Sequence, residues 1–175
     1  MNPRHQNLLA LVVVASAALL TFAPVLTNDF TWWDDHRTIH HNPLLNPPTW
    51  SGIAHYWRHP AMDLYVPVTY SVWGVTAMAA TLSTPNEEGI WLNPALFHAV
   101  SLLVHMMAAC LAFLVLRRLF DNSWAACGGA LLFALHPVQT EPVAWASGLK
   151  DVLAGMFALA ALHQYILFRL PRPRC

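Results

Sequence analysis

Charge is what this chain has least of. Only 10% of its 175 residues are Asp, Glu, Lys or Arg, and the formal net charge is zero. Ordinary soluble domains carry about 25% charged residues, so this composition excludes an ordinary water-facing surface. No run of lysine or arginine points to nucleic acid. Cysteine is sparse too: Cys110, Cys127 and Cys175 have no Cys-x-x-Cys spacing, and the first two lie in apolar runs. Cysteines so placed act as small hydrophobes, so neither a disulfide framework nor a cysteine zinc site is expected. No internal repeat at periods of about 20–50 residues occurs, and biased sequence is confined to the basic tail "RLPRPR" at 169–174.

What is present in excess is apolar surface: 57% of residues are hydrophobic and the mean hydropathy is +0.43. The chain therefore reads as an all-α integral membrane protein. A spanning helix needs about 20 mostly apolar residues, and the spans are expected near 7–26, 94–116, 121–135 and 152–168. The first reads as an uncleaved signal anchor, because its apolar run continues past the small residues "ASA" at 15–17; a cleavable signal peptide is the alternative. The segment 64–82 is long enough to cross but is broken by Pro67 and rich in hydroxyls.

Positive charge decides the count, because short cytoplasmic loops collect Lys and Arg. If 64–82 does not cross, Arg4, Arg117, Arg118, Arg169, Arg172 and Arg174 all share one side. The other side keeps Arg37, Arg58 and Lys150 and receives every acid except Asp121. If 64–82 did cross, this separation would collapse. Four spans with both ends cytoplasmic are expected, with 64–82 lying at the interface within an external loop 27–93. The stretch "NPLLNPPTW" favours turns before a short helix around 49–58, and the loop's tryptophans suit the headgroup layer.

The polar residues concentrate in two places. In "DFTWWDDHRTIHHN" (29–42), Asp34 and Asp35 are adjacent. Neighbouring carboxylates repel, and at a membrane edge such a pair suits a general base or a cation site; helix N-capping is the bland alternative. His36, His40 and His41 include an i, i+4 pair compatible with metal ligation. In a chain with ten histidines such pairs also arise by chance, and a histidine inside a span, such as His98 or His105, more often hydrogen-bonds a neighbouring helix. The second place is "HPVQTEPVAWASGLKD" (136–151), which carries His136, Glu141, Lys150 and Asp151. A lysine beside a helix N-terminus attracts phosphate, whereas simple capping and snorkelling would use the same residues.

Four stretches, "NDFTWWDDHRTIHHNPLL" (28–45), "LYVPVTYSVW" (64–73), "NPALFHAVSLLVHMMAACLAFLVLRRL" (93–119) and "LFALHPVQTEPVAWASGLKDVLAGMFALAAL" (132–162), together resemble the TMTC family. These are the transmembrane and tetratricopeptide-repeat O-mannosyltransferases, within the GT-C class. The resemblance implies a GT-C-like multi-span helical bundle that takes a sugar from a polyprenyl or dolichyl phosphate carrier and transfers it to a protein or other hydroxyl on the non-cytoplasmic face. It implies that Asp34 is the general base and that Asp35 supports it or, with Glu141, holds a divalent cation. His136, Glu141, Lys150 and Asp151 would then bind substrate, with Lys150 at the carrier phosphate. The membrane would be the inner membrane of a bacterial cell or the endoplasmic reticulum membrane of a eukaryotic one. Where relatives carry Arg-Pro-Leu, this chain has Val66, Pro67 and Val68. The family domain also has more spans and then repeats, neither of which occurs in these 175 residues, so the chain reads as an N-terminal portion whose activity would need the spans that follow. The alternatives are a small membrane protein that binds a divalent metal or partner helices, and an inactive remnant.

Overall fold

The computed structural model describes residues 2–169, so Arg172, Arg174 and Cys175 lie outside the described residues. Among these it is all-helical and has no named strand, only isolated bridges. The helices are α1 (Pro3–Phe22), α2 (Trp50–His55), α3 (Pro67–Ala80), α4 (Pro94–Leu119), α5 (Ser123–Ala134), α6 (Thr140–Ala144) and α7 (Leu149–Arg169), with a π-turn at His36–His40. Three helical stretches are long and apolar enough to cross a membrane: Pro3–Thr27, Pro94–Leu119 and Ala146–Arg169. The expected spans 7–26, 94–116 and 152–168 fall on them. The expected span 121–135 falls on α5, whose 12 residues reach about 18 Å against a hydrocarbon core about 30 Å thick. Helix α3, inside 64–82, has 14 residues and is likewise short of a crossing.

The chain divides into two compact units. The first comprises the described parts of Met1–Ala23, Leu102–Thr140 and Asp151–Cys175. Here α1 packs along α5 through small residues spaced four apart: Ala10, Val14 and Ala18 on one helix, Ala126, Ala130 and Ala134 on the other. Four-residue spacing keeps these side chains on one helical face, and their small size lets the backbones approach closely. Phe113 and the free thiol Cys127 complete this core. Within it, the His105 ring bonds the Ala134 carbonyl at 2.9 Å, satisfying the end of α5. At the end of α4, the Arg117 Nε donates to Asn7 Oδ1 (3.0 Å) and Ser123 Oγ (3.1 Å), tying three segments together.

The second unit, Pro24–Ser101 with Glu141–Lys150, is irregular. Thr49 caps α2 by accepting from the Gly52 N–H at 3.0 Å, and α2 packs on α3. That approach requires glycine at position 74, since a Cβ there would run into the Ile53 side chain. Tyr56 and Tyr70 stack between the same helices with centroids 3.8 Å apart. The Tyr56 hydroxyl donates to Asn42 Oδ1 at 2.9 Å, anchoring the loop that follows the π-turn.

Candidate functional site

Asp34 and Asp35, adjacent in sequence, have opposite environments. Asp35 is fully buried, and such a carboxylate is tolerated only when hydrogen-bonded. Its Oδ2 accepts from the Thr31 N–H (2.9 Å) and the Thr31 hydroxyl (3.2 Å), and its Oδ1 accepts from the Ser147 N–H at 2.8 Å. Although Asp35 stands at the N-cap position of the π-turn, its side chain makes no cap bond. The capping alternative is therefore overturned for Asp35: its donors are the residue four positions earlier and an amide 112 positions later. Asp34 is half-buried, and its carboxylate takes part in none of these bonds.

The tight turn Ala146–Gly148 is fixed from several directions. The Trp73 indole donates to the Ala146 carbonyl (3.2 Å), Asp35 holds the Ser147 amide, and the Lys150 ammonium donates to the Ser147 carbonyl (3.2 Å). Gly148 is obligatory here, because a Cβ would collide with the Pro142 backbone. Three of the stretches singled out in the sequence thus meet at one turn.

Beside it lies a cavity of about 110 Å³ whose lining includes Asp34, Thr38, Tyr70, Trp73, Ser147 and Lys150. A carboxylate and an ammonium share one small, half-enclosed space. Burial, reinforced by Tyr56, pushes the Tyr70 phenol up to about 12, so it stays a neutral hydroxyl there. The Ser147 Oγ is buried without a hydrogen-bond partner among the described residues. Part of the wall is a turn in which Met62 and Asp63 adopt φ of 48° and 62°. Left-handed backbone at two non-glycine residues stores strain, a condition that clusters at functional sites.

Of the residues singled out in the sequence, Asp34 and Lys150 line the cavity and Asp35 supports its wall. Glu141 is exposed in the first turn of α6, in the same unit. His136 and Asp151 belong to the other unit and are exposed. His136 Nδ1 accepts from the Val138 N–H at 3.2 Å, capping the turn Pro137–Gln139, and Asp151 sits in the first turn of α7. The wall residues Thr38, Tyr70, Trp73 and Ser147 carry no role in the sequence reading, although all four lie inside the quoted stretches.

The histidines of the π-turn form a separate cluster. The ligand atoms of His36, His40 and His41 lie within 4.8 Å of one another, the convergent group of potential metal ligands among the described residues. Burial, then the neighbouring His41 and His36, push His40 down to about 4 against the opposing pull of Asp35.

Over 165 residues the chain is 33% identical to the mouse Protein O-mannosyl-transferase TMTC1. It is 26% identical over 178 residues to the Caenorhabditis elegans Protein O-mannosyl-transferase F38B6.6, and 31% identical over 169 residues to human TMTC2. These alignments take in 89%, 93% and 91% of this chain. The chain is a TMTC homologue. It spans 16%, 24% and 19% of the length of those three relatives, matching their membrane part. No family model matches the chain, and no solved structure does.

Proposed function

We propose that the cavity between Asp34 and Lys150 is the sugar-transfer centre of a membrane glycosyltransferase. By analogy with the O-mannosyl-transferase relatives, it moves mannose from a polyprenyl or dolichyl phosphate carrier to a protein hydroxyl. Asp34 takes the acceptor's proton as its oxygen attacks the anomeric carbon. The bond from that carbon to the carrier phosphate breaks, and its electron pair leaves with the phosphate. Lys150 stabilises the charge that develops there, and the Ser147 hydroxyl supplies a further donor. Asp35 is a positioning residue: by gripping both Thr31 and Ser147 it fixes Asp34 against the turn that carries Lys150.

The observation that carries this reading is the shared cavity, which brings a free carboxylate and an ammonium from distant stretches to one space. A lipid-linked donor keeps its tail in the bilayer and its sugar phosphate at the surface, where a site built beside membrane helices meets it. The site faces away from the cytoplasm, in the inner membrane of a bacterium or the endoplasmic reticulum membrane of a eukaryote. Glu141, exposed in the same unit, contacts substrate; substrate-binding roles for His136 and Asp151 rest on the resemblance to the relatives alone.

The test is mannosyl transfer from a polyprenyl-phosphate donor in membranes containing mouse TMTC1 with this chain grafted in place of its matching segment. Asp34→Asn is expected to lower the rate by about 100-fold or more while leaving the amount of folded protein unchanged. Undiminished transfer by Asp34→Asn would remove the general-base role. The facing is checked with a membrane-impermeant thiol reagent on cysteines placed at Trp33 and Glu141, with Cys110, Cys127 and Cys175 replaced by alanine; labelling of either position from the cytoplasmic side alone would reverse the topology.

A further inference from the structure

The π-turn after the acid pair lends Thr38 to the cavity wall, and its three imidazoles lie outside that lining. An α-helix turns about 100° per residue, so residues five apart stand about 140° apart and His41 would leave the face of His36. The wider i→i+5 turn, closed by the His41 N–H on the His36 carbonyl at 3.0 Å, brings residues four and five positions on over the same spot. The ring centroids of His36 and His41 are 4.1 Å apart, and those of His40 and His41 are 5.0 Å apart. Single-turn π-bulges are frequent at functional sites.

The second observation is independent of the winding. The Nδ1 atoms of His36 and His40 are both buried, with no hydrogen-bond partner among the described residues. Buried polar atoms left unpaired call for an explanation, and an ion is one of the few that satisfies two at once. We propose that His36, His40 and His41 form a three-histidine zinc site that clamps the π-turn next to Asp34 and Asp35. Zinc takes imidazole nitrogens at about 2.0–2.1 Å, placing ligand atoms about 3.4 Å apart on a tetrahedron; from the present 4.8 Å this needs only modest ring rotations. His41 is exposed and gives the ion its entry and a fourth position for water, while Trp32 stacks on His36 and Phe30 on His40, orienting the two inner rings. This site is separate from the Asp34 cavity and stands whether or not that cavity transfers sugar.

The test uses the full chain in detergent without a polyhistidine tag, stripped with chelator and titrated with zinc against a chromophoric competitor. One zinc per chain is expected. His41→Ala, at an exposed position that leaves the fold intact, and His36→Ala should each weaken binding at least tenfold. The double variant His55→Ala, His59→Ala removes another stacked histidine pair and should bind as the parent does. Cobalt in place of zinc should give a tetrahedral absorption spectrum that His41→Ala abolishes. No stoichiometric zinc in the parent, or parent-like affinity in either His41→Ala or His36→Ala, would overturn the proposal.

Discussion

Where the first unit buries Ala10, Ala18, Ala126, Ala130 and Ala134 against one another, the second buries Asp35, His40, Asn42 and Ser147. The first gains its specificity from shape: helices meet where side chains are smallest, and the seam has no room to grow. The second gains it from buried polar groups, with Asp35, Asn42 and the Ser147 amide held by named donors and acceptors beside the unpartnered His40 Nδ1 and Ser147 Oγ. The same chain therefore contains a region intolerant of addition and a region intolerant of removal. The cavity's carboxylate and ammonium, Asp34 and Lys150, both belong to the latter.

That contrast can be broken by substitution. Asp35→Ala should cost the most, about 2–5 kcal/mol, because it strands the buried Ser147 amide together with both Thr31 donors. Asp35→Asn keeps acceptor oxygen and should lose less than half as much; equal losses in thermal unfolding of the detergent-solubilised chain would refute the hydrogen-bond account. In the alanine seam, Ala130→Leu should cost about 1–3 kcal/mol by overpacking, and a neutral result in the same melt would show that the helices are not in close contact. His105→Leu tests the bond in the first unit from the ring to the Ala134 carbonyl; within membranes such bonds average about 0.6 kcal/mol. Smallest of all is Asp121→Asn. The Asp121 side chain is fully exposed opposite Arg117, so melting should not shift measurably at moderate salt.

The long apolar helices are legible in sequence because a hydrocarbon slab demands about 20 apolar residues in a row. For the same reason α5 is not legible as it stands: beyond Ser123 its residues carry no polar side chain but the Trp124 indole N–H and the Cys127 thiol, and hydropathy reports what a segment tolerates rather than how far it reaches. The alanine seam escapes notice because small residues carry little hydropathy signal. Asp34 and Lys150 stand out as scarce charges at the edges of apolar runs. Thr31 and Ser147, which hold Asp35, leave no local mark: the bond from Ser147 joins positions 112 apart through a backbone amide. The i, i+4 histidine pair can be read at a helical period, but His41 joins it only because the backbone widens into a π-turn.

The distance in sequence between Asp35 and its Ser147 amide sets an order on biogenesis. A carboxylate leaving the ribosome at position 35 meets its final donor only after 112 further residues have been added. Until then Thr31 alone can engage it, so the early loop must stay hydrated while the intervening helices insert. Assembly of the Lys150 turn is therefore the event that dries the acid pair, and a ribosome stalled before residue 147 would leave Asp35 open to water and protease.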